Sequence, residues 1–424
     1  MRWIVFEDSK ADDLASIALL RPVFELLCGR KCLRERLQEW FPGSDWGALV
    51  RPRLAEVYQE QHPGVSVNRL SRITEFPTFW VNGRWMPDQT VNEIEVTADT
   101  AGFIDGELVW IALEPEESAL LTDENRLETL QSIARLRRVV EASGELIARP
   151  WDLVNRNSKQ LVLDFQESGC SQFPENAHVQ CLGDPTDLYI SELADVDPYV
   201  VIDVRQGPVS IDRDVQIQSF TRIEGPCHIG AGSRIFRALI HKGTTIGPMC
   251  RVGGEIEESI LHGFVNKYHE GFLGHSYVCP WVNLGAISTT SDLKSNYSSV
   301  KVPLQGELVD SGLIKVGSFI GDHTKVAVDS MFNTGTSVGV MAMVVPGGRL
   351  LPRHIPSFCS VQYGHLSDAW PLEESLASCR IAMGRRDQVL TAGEEQLLRQ
   401  VYEDTADERV AAMTRVTAKN LERS

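Results

Sequence analysis

Branched apolar residues recur every six positions through the second half of the chain, at Ile211, Ile217, Ile223, Ile229 and Ile235. After a one-residue slip the spacing resumes at Ile240, Ile246 and Val252, and it returns at Ile320, Val326, Phe332, Val338 and Val344. A period of six fits neither an amphipathic helix nor the alternation of a hairpin sheet. It fits a coil with three flat faces, each one hexapeptide long, with the apolar residue inward and a Gly or small residue at the tight corner. A β-sandwich would have to reproduce this spacing by coincidence in three separate runs. The pattern predicts a parallel β-helix from about residue 202 to about residue 364, with its ladder interrupted between about residues 255 and 315. That interruption holds His262, His269 and His275, and loops thrown out of a regular solenoid tend to carry function.

The first 190 residues are patterned differently. WIVF (3–6), SDWGALV (44–50) and EFPTFWV (75–81) read as strands, RKCLRERLQEWF (30–41) and LAEVYQEQ (54–61) as helices, and residues 124–149 as one long amphipathic helix. Strands alternating with helices predict an α/β domain with a mainly parallel sheet. DPTDLYISELADVDPYV (184–200), rich in acids with two prolines, reads as the connection to the β-helix, and beyond residue 366 the pattern is helical again. Three parts are expected: 1–190, 200–365 and 366–424.

Composition narrows the function. No stretch approaches the roughly 18 apolar residues of a membrane span, and the acid-rich start MRWIVFEDSKADD is unlike a secretory signal. A cytoplasmic protein with reduced thiols is expected, its nine cysteines being scattered and odd in number. The net charge of −17 argues against a nucleic-acid partner, which would require a basic face.

The chemistry sits in the interruption. His269 lies in KYHEGFLGHS beside Gly271 and Gly274, and an imidazole near neutrality is the natural base for deprotonating an acceptor amine or hydroxyl. The order CRVGGEIE, NKYHEGFLGHS, VNLGAISTTSDLKSNY resembles the acetyltransferase half of the bifunctional N-acetylglucosamine-1-phosphate uridylyltransferase/glucosamine-1-phosphate acetyltransferase family. The closer likeness is to its variant, sugar-nucleotidyltransferase-like branch. Members of the family carry G-H-x-x-Y-L-G-D, then V-N-I-G-A-G-T-I-T, then N-Y.

The resemblance implies an α/β nucleotidyltransferase-like (Rossmann-like) domain followed by an all-β left-handed parallel β-helix of hexapeptide repeats, with a C-terminal helical tail. It implies acetyl-CoA as cosubstrate, a sugar phosphate or nucleotide sugar as substrate, UDP-N-acetylglucosamine biosynthesis as the setting, and a homotrimer. Position by position, His269 falls on the catalytic base, Arg251 on an arginine holding the sugar phosphate, and Asn283 on an asparagine of the acceptor and coenzyme A site. Phe272 replaces a substrate-contacting tyrosine. Asn296 and Tyr297 match the N-Y pair, with Asp292 and Leu293 an equally good register. A family lysine that binds phosphate falls near Glu257 or Glu258, where a carboxylate repels phosphate, so the acceptor is expected to differ from glucosamine 1-phosphate. Lys267 is expected to be solvated unless its side chain turns inward and replaces that charge.

In the first domain the likeness is looser. The family's Gly-rich phosphate loop is replaced by FEDSKADDLASIALL, which has no glycine. RPVFELLCGRKCLRERL resembles the variant branch's next segment, with Arg21 where a nucleotide-binding lysine would stand. WVNGRWMPD and RPWDLVNRN resemble two more, putting Asn82 near an expected magnesium-binding position and offering Asp152 as a metal carboxylate. Mg²⁺ is therefore implied if this domain is active. The alternatives are a sugar-1-phosphate nucleotidyltransferase with a trimerising β-helix, and a non-catalytic sugar-nucleotide sensor or scaffold.

Overall fold

The structure, a computed structural model, describes residues 2–69, 76–88, 97–122, 125–168, 179–367 and 370–421. Its chain contacts divide it into two compact units: residues 1–26, 31–148 and 392–397, and residues 27–30, 149–391 and 398–424.

The first unit is built on a seven-stranded sheet. Its strands are β1 (Arg2–Phe6), β2 (Trp46–Leu49), β3 (Ser66–Val67), β4 (Thr78–Asn82), β5 (Thr100–Ile104), β6 (Glu107–Leu113) and β7 (Arg138–Glu141), in the order β7-β5-β6-β4-β1-β2-β3. Every pairing is parallel except those of β6 with β4 and β5. Trp3, Ile4, Val5, Phe79, Trp80 and Val81 are shut off from solvent, as expected for central strands covered on both faces. Helices α1 (Leu33–Trp40) and α2 (Ala55–Gln61) fall where the pattern predicts them.

The long helix expected over 124–149 is not formed. Helix α3 covers only Arg126–Arg135, and the chain then becomes β7, parallel to β5. The β-branched pair Val139–Val140 suits a strand, and the open edge of β5 supplies the ladder. Sheet pairing overrides the helical spacing here.

The second unit is the β-helix. Ile211, Ile229, Ile246, Leu261, Val278, Ile320, Val338 and Ile355 stack in register down a nine-stranded parallel sheet. Ile217, Ile235 and Val252 form a second inward ladder, and Ile223, Ile240 and Ile256 a third. All are at most 1% exposed, so the six-residue spacing is the spacing of the three faces. The slip between Ile235 and Ile240 falls at the corner residue Arg237, with φ +46°.

Three readings of this region change. Residues 184–200 are not a connection: Leu188–Ile190 and Asp195–Val196 pair in parallel with the following coil, as does Val179–Leu182 just before them. The ladder also runs through the supposed interruption, because Lys267 takes the inward position beside Val252 and Leu273 that beside Ile256. Only residues 293–316 depart, as an excursion containing the antiparallel hairpin Lys301–Leu304/Glu307–Asp310. Finally, helix α4 (Pro150–Ser168), assigned from sequence to the first domain, groups with the β-helix. Asn157 donates to Gly243 O (2.8 Å) and accepts from Gly29 N (2.7 Å) and Thr245 Oγ1 (3.1 Å), and Asp164 accepts from Arg30 N (2.7 Å). These buried polar groups fix the helix to one place on the nine-stranded face.

The tail is helical as expected: α5 (Leu372–Gly384), α6 (Ala392–Asp404) and α7 (Ala406–Leu421). No described helix is long and apolar enough to cross a membrane.

Candidate active site

Successive coils align one outward column on the second face: Arg234, Arg251, Asn266, Asn283 and Lys325. Register alone brings the expected Arg251 and Asn283 two coils apart, with Asn266 between them donating to Asn283 Oδ1 at 2.6 Å. Arg251 Nη1 donates to Gly232 O and Cys250 O, both at 3.0 Å. Burial, then the nearby charges of Arg386 and Arg234, push Arg251 down to about 10. A site that crowds cations in this way favours an anion.

The column turns into the third face at the corner carrying His269. Its imidazole is exposed and stands edge-on to Tyr268 at 4.7 Å, while Tyr268 packs on Phe236 at 4.0 Å. Beneath this corner lies Lys267. It is not solvated: it is 2% exposed, and its ammonium donates to Gly253 O (2.8 Å) and His269 O (2.7 Å). Burial pushes Lys267 down to about 8. Gly254, at φ +73°, leaves room for the ammonium, since a Cβ there would come within 2.8 Å of Nζ. The lysine thus fills a core position with its stem and pins the His269 corner with its head.

The next corner of the same coil carries His275. Its Nδ1 is 2.7 Å from Asp292 Oδ2. Burial alone would raise the Asp292 carboxyl, but the His275 hydrogen bond and charge outweigh it and hold the group below its usual range. Glu257, one coil earlier, meets Lys315 at 3.3 Å. Phe272 lies half-buried over Gly274, where an added Cβ would come within 2.4 Å of the ring and 2.7 Å of Asp292 Oδ2. Sequence reasoning named His275, Asp292 and Glu257 only in passing and missed Lys315. The separation of 17 residues between His275 and Asp292, and of 17 between Glu257 and its partner Gly274, is the signal that would have grouped the first three; Lys315, in the excursion, has none.

Asn296 and Tyr297 are exposed in the excursion, and Asn296 Oδ1 accepts from Ser298 within its own turn. Of the two registers, Asp292 is the one the fold brings against a histidine.

Below the column, a cavity of about 380 Å³ lies between the coils and α5, lined by His323, Lys325, Met341, Met343, Trp370 and Cys379. Lys325 Nζ donates to Trp281 O at 2.8 Å, and burial pushes it down to about 8. Cys379 Sγ is 3.2 Å from His323 Nδ1.

In the first unit, polar groups gather where β1 and β4 end and β6 begins. Asp8 and Glu107 both accept from the buried Arg84, each at 2.6 Å, and Lys10 also pairs with Glu107. Asn82 donates to Asp8 Oδ2 (2.9 Å) and Leu108 O (3.1 Å), while its own oxygen accepts Arg84 N–H (3.0 Å). Asp8 caps the 3₁₀ turn Ser9–Leu14 by accepting Lys10 N–H. The segment after β1 therefore places its own carboxylate, Asp8, against Asn82 and Arg84. Arg21 donates to Ile17 O at 3.2 Å. Asp152 accepts Arg149 N–H at 2.8 Å at the start of α4. Arg84 engages Asp8 and Glu107, and the Asn82 amide is engaged at both ends, so Asn82 and its neighbours do not fit a Mg²⁺ site.

The second unit, a parallel β-helix with an outward polar column, has a hexapeptide-repeat fold, and the first unit is an α/β sheet. Residues 3–170 match the family described as sugar nucleotidyl transferase. A curated bifunctional sugar-1-phosphate nucleotidylyltransferase/acetyltransferase of Sulfurisphaera tokodaii is 31% identical over 168 residues, 38% of this chain and 40% of that protein. Both matches support the family to which the sequence resemblance pointed. Two solved structures are similar at 14% identity: a putative acetyltransferase of Bacillus cereus (TM-score 0.21, 51% of this chain, 92% of that one) and a hexapeptide transferase family protein of Anaplasma phagocytophilum (TM-score 0.19, 53% and 96%).

Proposed function

We propose that this chain transfers an acetyl group from acetyl-CoA to the amine of an amino-sugar phosphate or nucleotide sugar. The observation that carries this reading is the alignment of Arg251, Asn266 and Asn283 on one face, with His269 opening from its corner. In the reaction the amine nitrogen bonds to the thioester carbonyl as His269 takes its proton, the carbon–sulfur bond breaks, and the coenzyme A thiolate leaves and is protonated. Arg251 holds the phosphate, Asn283 orients acceptor and donor, and Phe272 offers a ring face in place of a hydroxyl. The active form is a homotrimer, with coenzyme A lying between neighbouring coils.

The test follows acetyl-CoA consumption across a panel of amino-sugar acceptors. His269→Ala lowers the rate by about 10²–10⁴-fold, the usual contribution of a positioned base. Equal rates in variant and wild type would remove His269 from that role.

The match over residues 3–170 favours a second activity, sugar-1-phosphate nucleotidyl transfer in the first unit. Pyrophosphate release from UTP or dTTP with a sugar 1-phosphate, followed with and without added Mg²⁺, measures it. A chain that binds nucleotide sugars yet turns over in neither assay is a sensor or scaffold.

A further inference from the structure

We propose that Glu257, His275 and Asp292 form a binding site for one borderline divalent cation of the Zn²⁺, Co²⁺ or Mn²⁺ class. The three residues come from three successive coils at the same corner of the solenoid, and one ligand atom from each lies within 4.8 Å of the others. Among the described residues, this is the one group of three or more His, Cys, Asp or Glu side chains gathered closely enough to share an ion.

Ion pairing accounts for only part of the arrangement. Two carboxylates share one imidazole and one ammonium, and that ammonium belongs to Lys315, 38% exposed and 3.3 Å from Glu257. A partly exposed lysine at this distance is a modest counter-charge. His275 and Asp292 are far less exposed, at 14% and 11% for their side chains, so the carboxylate and imidazole are already held together and partly dehydrated.

The donor set selects the ion. One imidazole nitrogen with two carboxylate oxygens suits Zn²⁺, Co²⁺ or Mn²⁺ better than Mg²⁺ or Ca²⁺, which prefer oxygen ligands throughout. Metal–ligand bonds of about 2.0–2.2 Å place neighbouring donors roughly 3 Å or more apart. The 2.7 Å contact between His275 and Asp292 therefore opens by a few tenths of an ångström, within the reach of side-chain rotation. Gly274 has no Cβ to obstruct Asp292. A bound ion would tie three coils together at the root of the 293–316 excursion.

The full chain, stripped with chelator, is titrated with Co²⁺ and Zn²⁺ by calorimetry and by the Co²⁺ visible spectrum. One saturable site is expected, with no thiolate charge-transfer band. Binding weakens at least tenfold in His275→Ala and Asp292→Asn, less in Glu257→Gln, and is unchanged in His269→Ala. The near-isosteric Asp292→Asn and Glu257→Gln decide the matter if His275→Ala melts early. No saturable binding by the wild type, a thiolate spectrum, or equal binding by wild type and Asp292→Asn would overturn the proposal. The measurement needs no acyl donor, so it stands or falls apart from the acetyl-transfer reading.

Discussion

Residues 266–292 carry two histidines at successive corners of the solenoid, and their surroundings differ in kind. His269 is exposed, rests on an aromatic edge, and is held through its backbone by a lysine buried beneath it. His275 is held through its ring by a carboxylate, with a second carboxylate and a lysine close by. Pinning the backbone leaves an imidazole free to exchange protons with a ligand. Pinning the ring orders an imidazole for a fixed partner, whether proton or metal. The same scaffold thus presents one corner suited to turnover and another suited to holding.

The largest way to break this contrast is at Lys267. Its folded value near 8 lies below the usual lysine value of about 10.4. In that window the unfolded chain binds the extra proton, so stability rises with pH between about 8 and 10.4. Measured against Lys267→Met at each pH, the wild type gains up to about 3 kcal/mol across the window. The same variant frees the carbonyls of Gly253 and His269 and slows acetyl transfer, with kcat falling more than KM rises. A pH-independent stability difference would show that the ammonium is solvated.

A smaller effect sharpens the other corner. Gly274→Ala drives a methyl against Phe272 and Asp292, costing about 1–3 kcal/mol in denaturant titrations and weakening Co²⁺ binding. Unchanged stability and metal affinity would mean the corner relaxes freely. The smallest effect is expected at Lys315. Its partly exposed pairing contributes about 1 kcal/mol or less, so Lys315→Met hardly shifts the melting temperature while tightening Co²⁺ several-fold. Loss of metal binding there would make the lysine part of the site rather than its competitor.

Much of the fold was legible because the ladder residues are apolar for one reason, inward placement at a fixed period. Where a ladder position holds Lys267 or Thr290, the same spacing reads as an interruption although the coil continues. The start of the β-helix was obscured because its first coil, at residues 179–196, carries many acids on outward positions. The helix expected across 124–149 failed since local spacing cannot reveal that a partner strand waits beside Val139 and Val140. In the candidate site, Arg251, Asn283 and His269 were named from a motif, whereas Lys315 was not. It reaches Glu257 across an excursion whose return path no spacing encodes.

The sequence by itself determined the period, and with it the three faces and their inward residues, because burial acts on each hexapeptide in the same way. It also supplied the histidines and the likeness to a family. Only the tertiary structure decided which coils lie against one another. Asp292 follows His275 by 17 residues, roughly one circuit of the solenoid, and the two meet because parallel strands stack about 4.8 Å apart. The same stacking turned Lys267 inward and gathered two carboxylates and an imidazole at one corner, a result of register that no single stretch of chain contains.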